Sequence, residues 1–144
     1  MTAEPKHKRV LILCTGNSCR SQMAEGLVNH DLGGRWAARS AGTHPAAAVH
    51  PLAVRVMAEI GVDIARAVPK PVDTMTARPW DLVVTVCDSA RESCPVFLGA
   101  AEQIHVSFPD PVLATGSEEQ RLAVYRAVRD GIRARLLPEI AHRA

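Results

Sequence analysis

Twelve residues near the start, VLILCTGNSCRS (Val10–Ser21), combine an apolar run with two cysteines, a glycine, an asparagine and an arginine. A thiolate is a strong nucleophile, and a guanidinium can hold a tetrahedral oxyanion through two parallel N–H donors. An apolar strand followed by Cys14, Thr15, Gly16, Asn17, Ser18, Cys19, Arg20 and Ser21 and then a helix is the layout of an anion cradle. Backbone N–H groups of a tight loop point inward, and a helix N-terminus adds partial positive charge. Thr15 through Ser21 are therefore the expected oxyanion-binding residues, with Gly16 supplying backbone freedom and Arg20 the clamp. The same field is expected to lower the pKa of Cys14, and Ser21 to donate a hydrogen bond to its thiolate. The spacing is C-x5-R-S and not the G-x-x-x-x-G-K-S/T of a nucleotide-binding loop. Cys19, mid-loop, is expected to pack or to shape the backbone.

Two further features ask for a role. CDSARESCP (Cys87–Pro95) brackets six residues with a second pair of cysteines, and FPDP (Phe108–Pro111) presents Asp110 in an extended conformation imposed by Pro111. The cysteine spacings depart from the C-x2–4-C pairs of structural zinc sites. The six histidines show no ligand spacing such as H-x3-H, and Trp36 and Trp80 read as anchors in core or loop.

The elements that must position these groups follow from hydrophobic period. Strands are expected at Arg9–Cys14, Arg35–Ala41, Asp81–Cys87 and Gln103–Phe108, the third a β-branched run of the kind buried on both faces. Helices are expected at Ser21–Asp31 and Pro51–Ile60. A long helix opens at Ser117 with a capping-type start and carries Leu122, Tyr125, Val128, Ile132 and Leu136 on one face, with Pro138 near its end. Residues 62–79 read as an irregular loop with at most a short helix. Alternating strands and helices imply an α/β fold, a single three-layer domain over 1–144 with a central four-stranded parallel sheet flanked by helices. In such sheets ligands sit at the carboxyl ends of strands, where Cys14, Cys87 and the FPDP loop all fall.

Bulk properties narrow the partners. The 144 residues suit one domain, and a net charge of +2 with no aromatic residues among Lys6, Lys8 and Arg9 argues against nucleic acid. The apolar run after those basic residues is too short for a secretory signal, and no stretch approaches a membrane span. A cytoplasmic location is expected, where thiols stay reduced and four cysteines point to chemistry more than to a static disulfide framework.

CTGNSCRSQMAEG (Cys14–Gly26) resembles the oxyanion loop of the low-molecular-weight protein tyrosine phosphatase superfamily, and QMAE (Gln22–Glu25) leans towards its thioredoxin-coupled arsenate reductases. With the motifs at 87–94 and 110–111, the resemblance runs from Arg9 to about Ile132. It implies that Cys14 attacks arsenate, that Asp110 protonates the leaving oxygen, and that the oxidation passes from Cys14 to Cys87 to Cys94. It implies no tightly bound cofactor, thioredoxin as external reductant (with glutaredoxin or another thiol as substitutes), arsenate or phosphate as the oxyanion, and a monomer. If 87–94 were a regular helix its ends would lie about 10 Å apart, beyond disulfide reach, so that segment is expected to rearrange.

Some relatives are expected to hold potassium through equivalents of Asn17, Glu25, Ser40 and an aspartate. Lys70 occupies the fourth position here and can stand in for the cation, or Asp73 serves if the register differs. Asn17 is expected to bond to the loop's backbone. Two other readings stand beside this one: a phosphatase, in which Cys14 and Cys19 can form a protective disulfide, and a thiolate-based arsenite or metal sensor.

Overall fold

A computed structural model describes residues 7–76, 78–87 and 100–143. Its centre is a four-stranded, all-parallel sheet in the order β2-β1-β3-β4, formed by β1 (Lys8–Cys14), β2 (Trp36–Gly42), β3 (Leu82–Thr85) and β4 (Gln103–His105). Val10 to Leu13 and Leu82 to Val84 are essentially without solvent exposure. That is why these two strands read as unbroken apolar runs and not as alternating ones. Backbone bonds continue beyond the last two strands, from the Val86 N–H to the Leu13 carbonyl and from the Phe108 N–H to the Val86 carbonyl. The regular ladders are thus shorter than Asp81–Cys87 and Gln103–Phe108, but the chain direction holds past their ends.

Among the described residues three helices pack against one another, α1 (Arg20–Asp31), α2 (Pro51–Ala58) and α3 (Glu118–Ala141), and α1 also lies on β1 and β2. Helix α3 starts with the expected capping box. The Gln120 N–H donates to Ser117 Oγ at 3.2 Å, and the Ser117 N–H donates to Gln120 Oε1 at 2.8 Å. Leu122, Tyr125, Val128, Ile132 and Leu136 are buried, as the 3.6-residue period requires. Pro138 lies inside the last turns instead of ending the helix. Within the irregular 62–79 stretch the only helical element among the described residues is a 3-10 turn, Val72–Met75.

β1 lies between β2 and β3, so the chain leaves β1 towards one side of the sheet and returns on the other. Crevices form at the carboxyl ends of strands where the order switches in this way. Leu13 pairs with Thr85, which sets Cys14 and Cys87 beside each other just past that edge. No described helix is long and apolar enough to cross a membrane.

Candidate active site

A pocket of about 490 Å³ opens at the switch point, lined by Cys14, Thr15, Gly16, Ser18, Cys19, Arg20, Cys87, Asp110, Val112 and Leu113. The fold thus brings together three of the expected motifs. Cys94 lies outside the described residues, as does the 88–93 stretch expected to rearrange.

The loop is shaped from behind. The carbonyl oxygens of Cys14, Thr15, Gly16 and Ser18 accept from the N–H groups of Thr43, His44, Ala46 and His50. Turning those carbonyls away leaves the N–H edge for the pocket, and among the described residues no backbone carbonyl accepts from the N–H groups of Gly16 to Cys19. The left-handed residue is Asn17, at φ +52°, and not Gly16. Asparagine tolerates this region better than most residues, so the expectation for Gly16 is corrected.

Asn17 is fully buried and saturated. Its Nδ2 donates to Ser21 Oγ at 2.7 Å and Ser40 Oγ at 2.9 Å, while its Oδ1 accepts from Gln22 Nε2 at 3.0 Å and the Lys70 N–H at 2.9 Å. The partners are side chains and a distant backbone, not the loop's own backbone. Ser21 Oγ accepts from Asn17, which leaves its hydroxyl proton for the donation expected of it. Gly42 was missed as a determinant. A Cβ there would stand 2.6 Å from the Thr15 carbonyl oxygen and 3.0 Å from Asn17 Cβ, so only glycine lets β2 pass this close. Its place opposite Cys14 in the β1–β2 register was the available signal.

Arg20 is held at one nitrogen: Nη1 donates to the Phe108 carbonyl at 3.1 Å, and Nη2 lies 3.5 Å from Asp110 Oδ2. Its buried Nε has no protein acceptor among the described residues. A bound oxyanion would satisfy that donor and compete with Asp110 for Nη2, giving the two-pronged contact planar guanidinium favours. Asp110 is extended as expected (φ −81°, ψ 109°), and its Oδ1 also accepts from the Val112 N–H at 3.1 Å, capping the short turn Pro111–Leu113.

The sulfur atoms are set by their neighbours. Cys87 Sγ lies 3.2 Å from Thr15 Oγ1 and lines the same pocket as Cys14. The neighbouring Cys87 thiol, with burial added, pushes the pKa of the Cys14 thiol up, against the pull of Arg20 and the Thr15 N–H. In the reduced, oxyanion-free site the second thiol and burial thus oppose the lowering expected from the loop. Two adjacent buried sulfurs cannot both carry charge, and a cation and one N–H do not outweigh that. Cys19 caps α1 by position and is buried, with its Sγ 3.7 Å from Tyr125 Oη. Burial raises its pKa, which fits packing and not attack.

Beside the loop, Ser40 is fully buried, and burial raises the Glu25 pKa against the opposing pull of Lys70 and Ser40. Glu25 Oε1 and Gln22 Oε1 are buried acceptors without donors among the described residues. This excess of acceptors fits a hard cation. The Lys70 ammonium already acts on Glu25, and its Nζ donates to the Val68 carbonyl at 3.2 Å. Asp73 is exposed in the 3-10 turn, and the Lys70 N–H is the group that reaches Asn17.

Residues 9–141 match the family model described as low molecular weight phosphotyrosine protein phosphatase. The chain is 45% identical over 129 residues to an arsenate reductase of Halalkalibacterium halodurans, covering 90% of this chain and 92% of that one. A solved arsenate reductase in a phosphate-binding state superposes with a TM-score of 0.77 at 30% identity, covering 95% of this chain and 99% of that one. A thioredoxin-dependent arsenate reductase of Corynebacterium glutamicum does so with a TM-score of 0.67 at 30% identity, covering 99% of this chain and 66% of that one. Family model, sequence identity and superposition agree, and the chain belongs to the low molecular weight phosphotyrosine protein phosphatase family.

Proposed function

We propose that this protein is an arsenate reductase that uses Cys14 as nucleophile and passes its oxidation to Cys87 and then Cys94. The observation that carries the reading is Cys87 lining the catalytic pocket together with Cys14, its Sγ 3.2 Å from Thr15 Oγ1 of the oxyanion loop. A hydrolytic phosphatase regenerates its nucleophile with water and has no use for a second thiol there.

Cys14 gives up its proton to the Asp110 carboxylate and attacks arsenic while Arg20 and the loop N–H groups hold the oxyanion's charge. An As–O bond breaks, and Asp110 gives the leaving oxygen a proton so that it departs as water. Asp110 is free for this once the oxyanion has taken Arg20 Nη2. Cys87 then attacks Cys14 Sγ. The S–As bond breaks with its electron pair moving to arsenic, so arsenic(V) becomes arsenic(III), arsenite leaves, and the two thiols become a disulfide. Cys94 attacks Cys87, frees Cys14, and leaves a disulfide that an external dithiol reduces. Thioredoxin is the proposed donor, acting on a cytoplasmic monomer.

We also infer that Lys70 supplies the positive charge beside the loop. The Lys70 ammonium lowers the Glu25 pKa against its burial, and its backbone N–H binds Asn17. If a potassium ion does bind, Glu25, Gln22 and Ser40 are the residues to hold it, and its contribution is charge that steadies the network under Asn17.

The experiment is arsenite production from arsenate with thioredoxin, thioredoxin reductase and NADPH, for wild type, Cys87→Ser and Cys94→Ser. Multiple turnovers in wild type, lost in both variants, are expected. Equal hydrolysis of p-nitrophenyl phosphate by all three, with no arsenite from any, would make the protein a phosphatase.

A further inference from the structure

Once Cys14 carries arsenic, its sulfur is open to attack by a thiol, and two further thiols line the pocket with it, Cys87 and Cys19. Both are buried. Attack by either has the same balance. A new S–S bond forms, the S–As bond breaks with its electron pair moving to arsenic, and the attacking thiol's proton leaves with arsenite. Only attack by Cys87 hands the oxidation on to Cys94, whereas a Cys14–Cys19 disulfide ties the oxyanion loop to itself. The relay therefore needs Cys19 kept out of the reaction.

Cys19 is engaged twice. Ser18 Oγ donates to Cys19 Sγ at 3.7 Å, and the Cys19 thiol donates to Tyr125 Oη at 3.7 Å. Its proton is thus committed to α3, while Cys87 Sγ meets Thr15 Oγ1, next to Cys14 in the chain. Tyr125 is out of pattern on its own helix. Of Leu122, Tyr125, Val128, Ile132 and Leu136 on the buried face, only Tyr125 brings a polar atom, and it has no solvent exposure. Phenylalanine fills the same space, and a buried hydroxyl costs stability unless it is hydrogen-bonded. Among the described residues, the hydrogen-bond partner of this hydroxyl is the Cys19 thiol. The ring has a separate task. Its centroid lies 5.2 Å from that of His50, whose backbone N–H donates to the Ser18 carbonyl at 2.9 Å. The ring braces the segment behind the loop, and the hydroxyl adds a contact to one sulfur.

We propose that Tyr125 is a positioning residue that selects the resolving thiol: its hydroxyl holds the Cys19 thiol towards α3, so that Cys87 and not Cys19 takes the oxidation from Cys14. This rests on the arsenate reductase reading. Tyr125 does not line the pocket, so its effect on the reaction passes through Cys19. Holding the thiol by its proton also keeps it the poorer nucleophile, because the thiolate is the form that attacks.

The test is a single turnover with arsenate and no external thiol, quenched by alkylation, with disulfides mapped by peptide mass spectrometry in wild type and Tyr125→Phe. In wild type the disulfides should contain Cys87. Tyr125→Phe should raise the ratio of Cys14–Cys19 to Cys87-containing disulfides by about 5-fold, the change that loss of one hydrogen bond typically brings. A second arm follows steady-state arsenite production with thioredoxin for Tyr125→Phe, Cys19→Ala and the double variant. Tyr125→Phe should slow turnover, and the double variant should match Cys19→Ala alone, because no thiol is then left to hold back. An unchanged disulfide ratio in Tyr125→Phe, with wild type reducing arsenate, overturns the proposal and leaves the function standing. A turnover loss that persists in full beside Cys19→Ala marks a purely structural tyrosine and also overturns it. Cys14–Cys19 as the main disulfide of wild type overturns both the proposal and the Cys87 step. No arsenite from any of the proteins overturns the reductase reading and the proposal together.

Discussion

The two walls of the catalytic pocket are built differently. On the Cys14 wall, four loop carbonyls are tied to residues 43–50 and the fully buried Asn17 satisfies four partners. On the Asp110 wall, the chain is held by the Phe108–Val86 bond, the Arg20 contacts and one capping bond, and it ends in an exposed lip. Oxyanion binding and nucleophilic attack require geometry set in advance. Proton delivery requires a wall that can trade contacts. Arg20 spans the two, and its Nη2 is the group that changes partner when an oxyanion arrives.

Cys14→Ser should have the largest effect, lowering arsenite formation by at least about 1,000-fold while the folded stability holds, because the covalent route disappears. Retained activity would break the comparison at its root. Next comes Gly42→Ala, which pushes a methyl group into the Thr15 carbonyl and Asn17. It should cost about 1–3 kcal/mol of stability, read by urea unfolding, and should weaken phosphate binding in calorimetry. If it does neither, the Cys14 wall is not rigid.

Cys87→Ala sharpens the electrostatics. It removes the partner that does most to raise the Cys14 pKa, so thiolate absorbance at 240 nm should appear at lower pH than in wild type. For wild type the sign of the linkage follows from the raised folded-state pKa. Cys14 stabilises the fold most below the unfolded thiol pKa, and that contribution is lost as pH rises towards the folded value. Unfolding free energy should therefore decline above pH 8.5 in wild type and less steeply in the variant.

The smallest effect concerns the cation. Replacing potassium chloride by choline chloride at equal ionic strength should leave wild-type melting temperature and turnover within about 2-fold. Lys70→Gln should acquire a melting temperature that rises with potassium. A wild-type dependence on potassium would show that the orphaned acceptors of Glu25 and Gln22, and not Lys70, set the charge at the loop.

Much of this arrangement was legible before folding because it is local. An apolar run, C-x5-R-S, and a helix with apolar residues at three- and four-residue spacing define strand, cradle and helix from neighbours in sequence. The Ser117 capping box and the Asp110–Pro111 geometry are equally short-range. Element ends were less legible, since where β3 and β4 stop depends on the strand beside them. The role of Asn17 was misassigned within the right loop, because its hydrogen bonds run to Ser40 and Lys70, far along the chain.

The sequence by itself determined the chemistry on offer: a nucleophilic thiol, a guanidinium at fixed spacing, an acid before proline, and the α/β order that sends them to one end of a sheet. Only the tertiary structure decided how those groups stand towards one another. It placed Cys87 against Cys14 and Thr15, made Gly42 the one residue that fits behind the loop, raised the Cys14 pKa where the loop alone would lower it, and left an apolar lip at the mouth. Each of these depends on desolvation and on contacts between segments distant in the chain, and neither is encoded in any single stretch of residues.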